Sequence, residues 1–177
     1  MWSVKEGAYV IQNDFYLKTL YPKAFVNPAS IDLRLDQYAL IFDQPVHYRL
    51  LYALTRHPRW LQRKRTVNLK HGYYLQPGQM ALVSSQEVVY IPEDMSALLT
   101  LKSSRGREGL TQGFTGWFDP GFVGSATFPL YAHAHPVRLQ AGVRIAQLIY
   151  LKTNPPHALY NGAYQHQAGP TESYHVS

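Results

Sequence analysis

Ser103, Ser104 and Arg107 lie within one short run, with Lys102 before them and Arg105 among them. Two hydroxyls can donate to phosphate oxygens, and a guanidinium pairs with phosphate through two parallel N–H bonds. Lys102 and Arg105 add charge, and Gly106 lets the backbone turn. Taken alone, a Ser-Ser-Arg-Gly run is also an ordinary surface loop. Further on, Asp119 sits between Trp117-Phe118 and Pro120-Gly121. An acid so flanked is expected to be partly shielded and held in one orientation, accepting from a sugar hydroxyl or orienting a water. The plainer reading is an acid that only shapes its turn, and both can hold at once. Together the two segments suggest a site for a phosphorylated sugar, as in a nucleotide.

Other candidates carry less. His133 and His135 alternate with alanines and would share one face of a strand. With no third ligand at suitable spacing, they read as a polar strand face rather than a metal pair. Near the end, Tyr160, Tyr164, Gln165, Gln167 and Gly169 can close over a ligand by stacking and amide hydrogen bonds, or can simply form a loose terminus.

The elements that must position these residues are mostly strands. Residues 30–42 alternate, with Ile31, Leu33 and Leu35 on one face and Asp32, Arg34 and Asp36 on the other. Strands are expected at Tyr73–Leu75, Met80–Ser84, Glu87–Ile91, Ser96–Leu101, Ser125–Tyr131, Val137–Leu139 and Ile145–Leu151, punctuated by Gln76-Pro77-Gly78, Ser85-Gln86, Pro92-Glu93-Asp94 and Gln140-Ala141-Gly142. Residues 14–24 suggest a short helix with Asp14 as N-cap, and 46–62 are ambiguous, with a helix possible before Pro58. Short strands at this spacing suggest a sandwich or closed barrel. Residues 1–154 read as one domain and 155–177 as an arm.

Composition agrees with a globular chain of 177 residues, 46% hydrophobic and 16% charged, which gives enough material for one core. With no cysteine, disulfides and thiolate metal sites are excluded. No apolar run suits a bilayer span, and Met1–Glu6 lacks the apolar core of a signal peptide, so a cytoplasmic location is expected and a membrane partner is not. The net charge of +6 owes much to Arg56, Arg59, Arg63, Lys64, Arg65 and Lys70, around Trp60. Such a run reads as a solvated face with a tryptophan anchor rather than a polynucleotide groove, so nucleic acid is not the expected partner.

In order and spacing, these motifs resemble those of the dCTP deaminase family of the dUTPase-like superfamily. The resemblance runs through Ser30-Ile31-Asp32-Leu33-Arg34-Leu35, Leu75-Gln76-Pro77-Gly78, Glu87–Pro92, Lys102–Arg107, Gly116–Gly124, Gly142–Leu148 and Tyr164–Thr171. It is poor over 44–72, a divergent basic insertion. It implies a mostly β, distorted jelly-roll barrel, a homotrimer with nucleoside triphosphate sites at subunit interfaces, Mg²⁺ on the triphosphate and an arm that closes the site. It assigns phosphate and lid contacts to Lys102, Ser103, Ser104, Arg107, Gln147, Tyr160, Tyr164 and Gln167. Asp119 would meet the 3′-hydroxyl and, in pyrophosphatase members, help activate water. Lys102 replaces the family's usual Arg, and Ala163 stands where many members have a phosphate-binding Lys.

One departure bears on the reaction. Deaminating members carry a Glu on the strand after Gly124 that activates the water attacking C4 of cytosine; here Pro129 takes its position, and residues 125–135 hold no Asp or Glu. Proline has neither an acid nor an amide hydrogen and is expected to break a strand hydrogen bond. Loss of a general base removes roughly 10²–10⁴ in rate. Glu108 follows Arg107 at a position that is usually apolar in the family. Zinc deamination with cysteine ligands is excluded. The expectation is therefore dUTPase-type hydrolysis of a deoxynucleoside triphosphate, pyrimidine-bearing by resemblance; the alternatives are nucleotide binding without chemistry and, more weakly, deamination with a base from elsewhere.

Overall fold

The computed structural model describes residues 25–27, 30–43, 63–113, 116–154 and 158–174. The possible helices at 14–24 and 46–62, with Trp60, fall outside them. The chain order is β1 (Phe25–Val26), β2 (Ile31–Asp43), β3 (Arg63–Asn68), β4 (Tyr73–Leu75), β5 (Met80–Tyr90), β6 (Met95–Leu101), a single helical turn α1 (Ser103–Arg107), β7 (Leu110–Gln112), β8 (Trp117–Phe118), β9 (Val123–Ala132), β10 (Val137–Leu139) and β11 (Arg144–Lys152).

Among the described residues the main sheet has nine strands in the order β7-β9-β5-β2-β11-β6-β8, with β1 and β3 also on β2; β4 and β10 pair separately. The strand pairings are antiparallel. The first half of β2 pairs with β11 and the second half with β5 and β3, the register shifting between Leu35 and Ala39. β2 thus passes from one face of the barrel to the other. Ile31, Leu33, Leu99 and Leu148 from one side join Ile41, Val83, Phe128 and Leu130 from the other in one buried cluster. Each such side chain contributes about 1.5–3 kcal/mol by leaving water. Tyr150 is buried with them; its hydroxyl donates to the Tyr90 carbonyl at 2.9 Å, and burial pushes the phenol's pKa well above its ordinary value.

The expected break at Ser85-Gln86 is a bulge inside one continuous strand. The register with β9 shifts between Ser84↔Thr127 and Val88↔Ser125. Polar side chains hold it: Ser85 Oγ donates to the Glu87 carbonyl at 2.6 Å and accepts from the Ala126 amide at 2.8 Å. The buried Glu87 carboxylate accepts from the Arg34 amide and from Arg34 Nε, at 2.7 and 2.6 Å. Hydrophilic residues there serve the ladder instead of ending it. In the basic stretch, Arg63–Asn68 form β3 against β2.

Pro129 lies inside β9, opposite Leu82 of β5. Its carbonyl accepts from the Gly113 amide at 3.3 Å. A residue's N and O share one side of an antiparallel strand, so the missing N–H faces Gly113. That point lies past Gln112, where β7 ends. The proline therefore leaves the β5 ladder intact, contrary to the broken bond expected from sequence. His133 and His135 lie beyond the end of β9 rather than on a strand, and His133 hydrogen-bonds Thr111. No described helix is long and apolar enough to cross a membrane.

Candidate active site: a cavity on the outer face of the sheet

On β9, Ala126, Phe128 and Leu130 point into the core, while Thr127, Pro129 and Tyr131 point outward. With Phe42 of β2 and Met80 and Leu82 of β5, they floor a cavity of about 900 Å³. The register explains the grouping: Phe42 faces Met80, Met80 faces Tyr131, and Leu82 faces Pro129. The floor is therefore largely apolar.

Asp119 stands at the wall with Trp117, Phe118 and Phe122. The Phe122 amide donates to the Asp119 carbonyl at 3.2 Å, closing a turn in which Gly121 has φ +84°. Pro120 presets the first central position and Gly121 supplies the left-handed second one. Trp117 Nε1 donates to Asp119 Oδ1 at 3.0 Å. The carboxylate is thus oriented as expected; it is, however, exposed rather than shielded, because Trp117 is itself 56% exposed and leaves it open.

The arm roofs the cavity. Tyr160, Tyr164, Gln167, Thr171, Glu172 and Ser173 line it. The Ser125 amide donates to the Gln167 carbonyl at 2.9 Å, and Gln167 Nε2 returns a bond to the Ser125 carbonyl at 2.7 Å. Gln165 accepts from the Val123 amide and donates to the Gly121 carbonyl, both at 2.9 Å. Tyr160 packs edge-on against Phe122, and Tyr164 rests on Tyr174. Thr127 Oγ1 donates to the Gly169 carbonyl at 3.1 Å.

The other predicted residues gather elsewhere. Ser103, Ser104 and Arg107 are exposed on α1, and they do not line this cavity. Lys102, at the N-cap, extends its side chain to Asp32 Oδ1 at 2.6 Å. Asp32 is fully buried and also accepts from Asn27 at 2.7 Å and from Arg144 at 3.1 Å. Gln147 of β11 is the cross-strand neighbour of Asp32. The chain therefore presents two clusters: a cavity holding Asp119, Pro129, Tyr160, Tyr164 and Gln167, and a cationic turn beside Gln147.

Two charged lining residues were missed as site residues from sequence. Lys64 lies in the stretch that matches the family poorly, and Glu172 follows the last recognisable motif; Lys64 Nζ donates to both Glu172 carboxylate oxygens, at 2.9 and 3.0 Å. Their only sequence signal was opposite charge. Among the described residues, no three His, Cys, Asp or Glu converge as a metal cage.

The family model described as dCTP deaminase-like matches residues 4–153. A dCTP deaminase, dUMP-forming, from Acidothermus cellulolyticus is 36% identical over 161 residues, covering 86% of this chain and 83% of its own. The protein of the same name from Persephonella marina is 34% identical over 150 residues, covering 84% and 82%. The crystal structure of 2′-deoxycytidine 5′-triphosphate deaminase from Agrobacterium tumefaciens matches with a TM-score of 0.55 at 26% identity, over 71% of this chain and 39% of that longer one. With most of its length matched by the family model and by relatives more than 30% identical, and with a mostly β barrel, the chain belongs to the dCTP deaminase-like family of nucleotide metabolism.

Proposed function

We propose that the protein is a cytoplasmic homotrimer that binds a deoxynucleoside triphosphate between subunits and hydrolyses it between the α and β phosphates. The observation that carries this reading is the cavity itself, with an oriented carboxylate, Asp119, on its wall and Pro129 on its floor. The relatives' name, dCTP deaminase, dUMP-forming, implies loss of both ammonia and pyrophosphate. The residues that the resemblance assigns to pyrophosphate release are present here; the acid it assigns to ammonia release is replaced by Pro129.

Charge supports an assembly. The cavity's charged side chains are Asp119, Glu172 and Lys64, a net charge of −1, which repels a triphosphate. The cationic turn, Ser103, Ser104 and Arg107, lies outside the cavity, and a neighbouring copy can supply it. Asp119 then orients a water and takes its proton as oxygen bonds to the α-phosphorus. The α–β bridging oxygen leaves with pyrophosphate, while Arg107, the two serines and Gln147 stabilise the charge that develops. Tyr160, Tyr164 and Gln167 exclude bulk water. Mg²⁺ fits as an ion carried by phosphate oxygens and water, which needs no protein cage; it would neutralise phosphate charge.

A second reading is nucleotide binding without chemistry. The engagement of Lys102 by Asp32 and the exposed Ala163 at the family's Lys position favour it. A product assay with Mg²⁺ and a panel of nucleoside triphosphates separates the two. Pyrophosphate with a monophosphate, lost in Asp119→Asn while binding persists, supports hydrolysis; binding without product supports the second reading. Ammonia from dCTP would overturn the role given to Pro129.

A further inference from the structure

The cavity holds a second carboxylate. The arm leaves β9 at Thr127, whose hydroxyl bonds Gly169, and continues to Glu172, which meets Lys64 on β3. In the sheet, β9, β5, β2 and β3 are successive neighbours. In register, Phe42, Met80 and Leu82 lie between Pro129 and Tyr131 at one end of the floor and Lys64, which holds Glu172, at the other. A planar base laid on that floor finds an apolar surface beneath and a carboxylate–ammonium pair at its rim.

We propose that Glu172 reads the base, with Lys64 as the residue that positions it; this rests on the nucleotide site described above. Lys64 uses one direction of approach to the carboxylate, and each oxygen keeps acceptor capacity for N–H donors. The ligand is accordingly a nucleoside triphosphate whose pyrimidine carries an exocyclic amino group, which donates to Glu172. A 4-oxo pyrimidine places an acceptor at the same point and faces repulsion. The arm thus supplies the carboxylate to a cavity whose floor strand presents Pro129. The pair is solvent-exposed in the protomer, with side chains 57% and 37% accessible, so its own contribution to stability is small; covered by a base, it acts through discrimination instead.

The test is calorimetric titration of the full-length protein with the α,β-imido analogues of dCTP and dUTP, which differ at C4. Wild type is expected to favour the dCTP analogue. Glu172→Leu is expected to weaken that analogue on the order of 10–100-fold, the scale of a charge-assisted hydrogen bond, and to leave the dUTP analogue within about threefold. Glu172→Gln, which keeps one acceptor oxygen, is expected to recover part of the preference. Equal weakening of both analogues in Glu172→Leu would show a residue that only fastens the arm, and equal wild-type affinity for both would likewise overturn the proposal. Binding of neither by wild type would instead overturn the nucleotide reading on which it rests.

Discussion

Asp32→Asn tests whether one buried carboxylate supports the cationic turn. Asp32 has no exposed surface, and three donors converge on it: Lys102 Nζ at 2.6 Å, Asn27 Nδ2 at 2.7 Å and Arg144 at 3.1 Å. The amide keeps the volume and removes the charge. Breaking a buried ion pair costs about 3–5 kcal/mol when the other charge is left stranded. Here the Lys102 and Arg144 side chains keep 21% and 50% of their exposure, so water compensates in part. The expected loss is about 2–3 kcal/mol, or about 4–12 °C in Tm for a chain of this size. Reversible urea and thermal unfolding measure it, and a cycle with Lys102→Met isolates the pair. Coupling predicts that the double variant loses less than the sum of the two single ones. A drop in Tm below 2 °C, or strict additivity, would refute the idea that Asp32 anchors Lys102.

Tyr150→Phe removes a hydroxyl that bonds the Tyr90 carbonyl and is expected to cost about 1 kcal/mol. Because burial raises this phenol's pKa above 10.0, its protonated form favours the fold; that stability is complete below pH 10.0 and falls as pH climbs past it. Melting curves across that range should show a steeper decline in wild type than in the variant. Gln165→Ala removes bonds to Val123, Gly121 and Tyr160, so limited proteolysis should cut within 158–174 faster and KM should rise several-fold while the body's Tm barely changes. Pro129→Glu places a carboxylate on the cavity floor without disturbing the β5 ladder; ammonia release from dCTP is the expected gain, and a folded variant that releases none would argue against Pro129 as the point of departure.

Much of the sheet could be read from alternation: Ile31–Asp43 and Val137–Leu139 emerge nearly as the sequence suggests. The misreadings share a cause. Ser85 and Gln86 looked like punctuation because their hydrophilicity signals solvent, whereas Ser85 is buried and bonded within a bulge beside the buried Glu87. Trp117–Phe118 and Leu110–Gln112 are too short to show a period, and pairing with neighbours alone makes them strands. The aromatic, proline and glycine neighbours of Asp119 signalled its orientation but not its exposure, which depends on the direction Trp117 takes. Lys64 and Glu172 are 108 positions apart, beyond any local pattern. The role of Asp32 was hidden because strand alternation placed it on the polar face, and only the arrival of Lys102 and Arg144 turns that face inward.

The shared strand β2 also governs how the protein comes into being. Its first half pairs with β11, and Asp32 meets Arg144 across 112 positions. Contacts of such sequence separation require a long loop to close before they reward the chain, which slows folding. During synthesis, β2 emerges about a hundred residues before its partner β11. The segment from β3 to β9 can pair while the first half of β2 waits with an open edge, and an open edge is the part of a nascent β protein most exposed to wrong partners. β11, the last of the described strands to emerge, joins β2 to β6 and so ties the two parts of the sheet together.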